Sequence, residues 1–119
     1  MAFKEEDMYP YVRKVLRKRY PKEKGWEIKP QERRKGYVPD FVVEKKRRFL
    51  GTTERVIVEV KRGCQVSDRD VKQLNDYVKK MAGGNVNIKE KILVVPAGAD
   101  TSRVPEDIKV IRLRKFKCK

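Results

Sequence analysis

Three short stretches carry residues whose types and spacing could hold a cation beside a reactive phosphate. They are Val38-Pro39-Asp40, Glu59-Val60-Lys61 and Gln73-Leu74-Asn75-Asp76-Tyr77. Side chains alternate along a strand, so Glu59 and Lys61 point to one face and Val58 and Val60 to the other. If the two strands form a hairpin symmetric about Phe49 and Leu50, Asp40 sits opposite Glu59, with Cβ atoms about 5 Å apart. Two carboxylates that close repel unless a positive charge lies between them. A divalent cation meets that need, taking one oxygen from each and the backbone carbonyl of Val60. Such a cation activates water and neutralises phosphate charge. Lys61 then faces the same phosphate or water, where its compact ammonium stabilises developing negative charge or positions the nucleophile. Gln73 and Tyr77 share a helical face, from which they can reach back toward the site. Each motif also has a plain reading. A Glu-x-Lys is commonly a solvated ion pair, a Pro-Asp a turn, and Tyr77 a core-edge ring beside a solvated Gln73. The joint pattern is what points to chemistry.

These residues need a scaffold, and periodicity supplies one. Met8, Val12, Val15 and Leu16 fall at helical spacing, with Arg13, Lys14, Arg17 and Lys18 on the other face. Asp7 is the expected N-cap, which places Pro10 in the first turn, and Pro21 closes the helix. Trp26 to Lys29 forms a short strand. Tyr37 to Glu44 and Arg55 to Lys61 are two further strands, rich in Val, Ile and Phe. Ser67, with Asp70 three residues on, caps a second amphipathic helix carrying Val71, Leu74, Val78 and Met81, which ends at Gly83-Gly84. Ile92 to Val95 is a buried strand and Ile108 to Leu113 a last one. The tail from Arg114 to Lys119 is expected to fray. The order is helix, three strands, helix, strand, strand. It predicts an antiparallel meander, then a crossover through the second helix to a parallel fourth strand. The fold class is α/β, a mixed sheet flanked by helices.

The 119 residues make one domain, 1–119. Lys and Arg total 32 against 17 Asp and Glu, a formal net charge of +15. A one-sided positive balance attracts phosphate polyanions. A highly charged surface that only keeps the protein soluble explains the number of charges but not their sign. No histidine is present, which excludes His-based triads and His-metal sites. A metal would be held by oxygen ligands, favouring Mg²⁺ or Mn²⁺. No run of 18 apolar residues exists and no signal-peptide core, so no membrane span and a cytoplasmic location are expected. Cys64 and Cys118 make no disulfide framework. Cys64 reads as a redox-sensitive thiol or as a structural or incidental cysteine.

The pattern resembles the PD-(D/E)XK nuclease superfamily, whose restriction-endonuclease-like core runs αβββαβ. Asp40 matches its metal-binding aspartate, Glu59 its second acidic ligand and Lys61 its catalytic lysine. Gln73 and Tyr77 match the Gln-x-x-x-Tyr of the RecB-like and NucS-like branches. The opening Glu5-Glu6-Asp7-Met8-Tyr9-Pro10 resembles the first helix of small members, where an early glutamate approaches the metals; Glu5 fits that place, with Glu6 as the fallback. NucS-like enzymes carry a further N-terminal DNA-binding domain that this sequence does not match. The resemblance implies a Mg²⁺-dependent endonuclease acting on DNA, with RNA not excluded. It is compatible with a structure-directed enzyme such as a Holliday-junction resolvase working as a homodimer.

The remaining candidates concern nucleic-acid contact. Arg62 is placed to meet a phosphate or to be a solvated strand end. Lys45, Lys46, Arg47 and Arg48 form a basic hairpin tip that clamps a duplex or guards the hairpin against aggregation. Tyr77 completes the nucleic-acid set, while Trp26 and Tyr37 stack on bases or pack in the core. The rival to an enzyme is a non-catalytic nucleic-acid-binding module with a nuclease-like fold.

Overall fold

The computed structural model describes residues 3–30, 38–47 and 49–118. Two helices and five strands follow the expected order. Helix α1 spans Glu5–Arg19, and a single 3₁₀ turn, Lys22–Lys24, leads through Gly25 into strand β1, Trp26–Pro30. Strands β2 (Phe41–Arg47) and β3 (Thr52–Val60) form the hairpin, and helix α2 spans Asp68–Met81. Strands β4 (Val86–Ala97) and β5 (Ile108–Lys117) complete a single five-stranded sheet in the order β1-β2-β3-β4-β5. The first three strands are antiparallel, and β4 and β5 are each parallel to the preceding strand. The protein is thus α/β with a mixed sheet.

Strand alternation divides the sheet into two apolar faces, and each helix covers one. Met8, Val12 and Leu16 of α1 lie against Phe41, Val43, Val56, Val58, Val60 and the β5 residues Leu113 and Phe116. Val71, Leu74 and Tyr77 of α2 lie against Val42, Ile57, Leu93, Val95 and Ile108. Ser67 caps α2 as expected. Its side chain accepts from the Asp70 N–H at 3.2 Å, and the Asp70 carboxylate accepts from the Ser67 N–H at 3.0 Å. Two buried glutamates sit on the sheet, Glu44 and Glu59. Glu44 pairs with Lys29 at 2.7 Å and with Arg55, whose guanidinium also donates to the Met81 carbonyl at 2.7 Å. That contact fastens the C-terminal end of α2 to the hairpin. Burial alone would raise the Glu44 carboxyl; Lys29 and Arg55 override it and hold the group below its usual range.

Several boundaries differ from expectation, each for a physical reason. Lys4, not Asp7, is the N-cap of α1; the Asp7 carboxylate accepts from the Lys4 N–H at 2.8 Å. Pro10 therefore lies beyond the first turn, inside a continuing helix. The β5 strand runs to Lys117, because a register shift after Pro96 pairs Ala97 with Lys117 and brings Phe116 into the core. The expected fraying of residues 114–119 is corrected accordingly for those described. Cys64 and Cys118 are joined in a disulfide, Cα atoms 5.5 Å apart, across a sequence separation of 54. Cys64 is therefore no free thiol. Trp26 is buried against Tyr20, with Lys45 and Lys89 over its ring, which is the packing role. Tyr37 lies outside the described residues. Among the described residues no helix is long and apolar enough to cross a membrane.

Candidate active site

The hairpin register brings the acidic pair together. Phe41 pairs with Val58, so the next step of the same register sets Asp40 opposite Glu59. Both carboxylates are buried, at 7% and 5% exposure. The Asp40 backbone N–H donates to Glu59 Oε1 at 3.2 Å, and the Val60 N–H donates to Asp40 Oδ2 at 2.7 Å. These bonds lock the end of β3 to the residue entering β2. Strand alternation then sends Lys61 to the face of Glu59, where its Nζ lies 3.6 Å from Glu59 Oε2. From α2, Gln73 Oε1 accepts from Lys61 Nζ at 2.6 Å, and Asp70 Oδ1 lies 3.7 Å from it. The lysine is therefore held among Glu59, Asp70 and Gln73 at the junction of β3 and α2.

Burial is the main force raising the Glu59 carboxyl well above the ordinary range, and the adjacent Asp40 carboxyl adds to it by hydrogen bonding and charge. Lys61 offsets part of the effect. A raised carboxyl pKa means the folded protein holds a proton that the unfolded chain has lost. Stability of the metal-free protein should therefore fall as pH rises above about 4.3, the unfolded value, toward the raised folded value. Glu59→Gln removes that slope and raises the melting temperature at neutral pH in EDTA. Thermal denaturation from pH 4 to 9 checks it; an unchanged slope in the variant would place the titration elsewhere. Glu44 runs the opposite way: its contribution is present above the ordinary carboxyl pKa and is lost as pH falls through its lowered one.

The donors fit a hard divalent cation: two adjacent buried carboxylates, all-oxygen ligands, and the Lys61 ammonium beside them. Asp40 and Glu59 would hold Mg²⁺ or Mn²⁺, with the Val60 backbone beside Asp40. Among the described residues no group of three or more Asp, Glu or Cys side chains that could hold a metal is found. Glu5 is half-buried at the first position of α1 and Glu6 is exposed. One turn beyond Glu5 on the same helical face, Tyr9 makes the contact with the site, its hydroxyl donating to Asp40 Oδ1 at 2.5 Å. Tyr9 and Asp70 are the site residues that motif spacing misses. Asp70 reads as a capping residue alone, and nothing local marks Tyr9 as Asp40's partner.

The expected nucleic-acid residues are dispersed. Tyr77 is 3% exposed and buried in the α2 cluster; its ring packs in the core and is not presented for stacking. Arg62 is exposed beside the site, its guanidinium 3.4 Å from the Phe3 carbonyl it donates to. Lys45 lies over the Trp26 ring at 5.7 Å, and Arg47 pairs with Glu54. Lys46 is exposed. Arg48 lies outside the described residues. These tip residues sit at the far end of the hairpin from Asp40. No protein-family model, no curated protein and no solved structure significantly matches the chain.

Proposed function

We propose that the chain is a small metal-dependent endonuclease of the PD-(D/E)XK superfamily, with a restriction-endonuclease-like core, that hydrolyses DNA phosphodiesters in a structure-directed way. The observation that carries this reading is Lys61, held at 2.6 Å by Gln73 on the same face as a buried Asp40–Glu59 pair. The element order from α1 to β4 supports the αβββαβ core. The net charge of +15 supports a phosphate polyanion as substrate.

When bound, Mg²⁺ or Mn²⁺ supplies Lewis acidity and a more acidic water. The chain does the rest. Asp40 is oriented by Tyr9 and the Val60 N–H, so its oxygens are fixed before substrate arrives. Gln73 accepts from Lys61 and keeps the ammonium at the mouth of the site. There it donates to a non-bridging phosphate oxygen or to the attacking water, countering the charge that grows in the transition state.

A labelled panel of duplex, single strand, flap, splayed arm, four-way junction and RNA tests the reading, each with Mg²⁺, Mn²⁺ or EDTA. Metal-dependent cutting supports it. Tight, metal-indifferent binding with no cutting of any substrate overturns it in favour of a binding module. Mg²⁺ at 100 times its dissociation constant should stabilise the wild type by about 2.7 kcal/mol and leave Asp40→Asn unshifted, as read by melting temperature.

A further inference from the structure

Three large apolar side chains are exposed among the described residues, and two of them, Phe49 at 104% and Leu50 at 67%, are neighbours at the tip of the β2–β3 hairpin. The turn bonds the Leu50 N–H to the Arg47 carbonyl at 3.2 Å, and Gly51 takes a left-handed φ of 64° that lets the chain re-enter β3. The turn therefore holds the two side chains outward, in a concavity shared with Lys45, Lys46 and Arg47. Isolated exposed apolar residues need no explanation, but an adjacent pair on a projecting, cation-flanked turn does.

The position of the tip relative to the site gives it meaning. Nine steps along the chain, most of them in β2, lead from Asp40 to Phe49, at most about 30 Å. That bound equals about nine base pairs of duplex at about 3.4 Å each. Helix α2 covers the part of the gap nearer the site. Its N-terminal half meets Lys61 through Asp70 and Gln73, and its C-terminal end meets the middle of the hairpin through Arg55 and the Met81 carbonyl. Along a groove on its outer side lie Arg69, Lys72 and Lys79, with Asp76 the acidic exception. The site and the apolar tip thus lie toward opposite ends of one hairpin, with a cationic helix packed on it.

We propose that Phe49 and Leu50 form a wedge that inserts at an interrupted base stack of DNA, such as a branch point, at most about nine base pairs from the phosphate that Lys61 faces. Apolar side chains do this by replacing base–base stacking at a step that is already open, which a continuous duplex resists. The flanking cations supply the charge complementarity. The inference rests on the nuclease reading for the identity of the distant site, and it deepens that reading by naming what the substrate must offer.

The experiment uses the full chain in EDTA, so nothing is cut. A splayed-arm DNA with 2-aminopurine at the branch is compared with the matching continuous duplex. Wild type should raise the fluorescence, and Phe49→Ala/Leu50→Ala should abolish the rise and weaken splayed-arm binding by about tenfold. Duplex binding and melting temperature should stay unchanged in the variant, because neither side chain contributes to the core. Equal splayed-arm affinity, or no fluorescence rise with wild type, overturns the wedge. Tighter tip-dependent binding to the RNA version overturns the DNA assignment. Tip-dependent binding to anionic phospholipid vesicles without any to DNA overturns the nucleic-acid occupant altogether. Failure of the nuclease reading shows separately, as absence of metal-dependent cutting, and leaves this assay's result standing.

Discussion

Lys61→Ala is expected to lower Mg²⁺-dependent cleavage by about 10²–10³-fold, the usual cost of deleting one preorganised donor at a developing negative charge. The geometry gives the reason for so large an effect. Lys61 Nζ is half-buried and held by Gln73 at 2.6 Å, Glu59 at 3.6 Å and Asp70 at 3.7 Å, so its position costs no reorganisation when substrate arrives. Arginine is not an adequate replacement, because a planar fork cannot occupy the place of a point charge wedged among three partners. Gln73→Ala should cost less, since Glu59 and Asp70 still hold the ammonium. Single-turnover cleavage with each variant, alongside melting in Mg²⁺, separates the roles. Lys61→Ala should keep the Mg²⁺-induced thermal shift while losing turnover; loss of the shift would make Lys61 a determinant of metal binding. Undiminished cleavage would remove it from the site.

The second large effect is on stability. Breaking the Cys64–Cys118 disulfide should cost roughly 4 kcal/mol, from the loop entropy that a bridge of this span withholds from the unfolded chain. For a domain of this size that lowers the melting temperature by about 15 °C. The bridge joins the β3–α2 loop to the end of β5, where three backbone bonds already converge. The Asp100 N–H donates to the Cys64 carbonyl at 2.8 Å, the Val66 N–H to the Asp100 carbonyl at 2.9 Å, and the Cys118 N–H to the Ala97 carbonyl at 2.9 Å. Cys64→Ser/Cys118→Ser and reductant-treated wild type should melt alike in calorimetry. A shift of under about 3 °C would mean that the reduced, unfolded chain retains structure across this loop, so that the bridge withholds little entropy from it.

What the sequence makes legible here is whatever repeats locally. The apolar runs Phe41–Val43 and Val56–Val58 mark the two strands of the hairpin, and its symmetry about Phe49 and Leu50 predicts the Asp40–Glu59 opposition. Ser67 and Asp70 announce α2 because a capping box is a contact across three residues. The less legible features depend on distant partners. Charge density conceals the end of β5, since Arg114, Lys115 and Lys117 look solvated until Ala97 pairs with Lys117 and Phe116 turns inward. Cys64 and Cys118 bear no local sign of pairing. Tyr9 reaches Asp40 across 31 residues. The Pro10 that interrupts helix propensity next to it is tolerated because α1 is held by burial of Met8, Val12 and Leu16 more than by its own backbone bonds.

The placement of β5 has a consequence for biosynthesis. Helix α1 leaves the ribosome before strand β5, which supplies part of its cover: Leu113 and Phe116 complete its cluster, and the Phe116 ring lies 5.0 Å from Phe3 and 5.3 Å from Tyr11. Until translation has passed that strand, the apolar stripe of α1 has an incomplete seat on the sheet. Nascent chains halted before Ile108 would carry a partly uncovered helix face and an unpaired β4 edge together, the combination that chaperones bind and that aggregates without them.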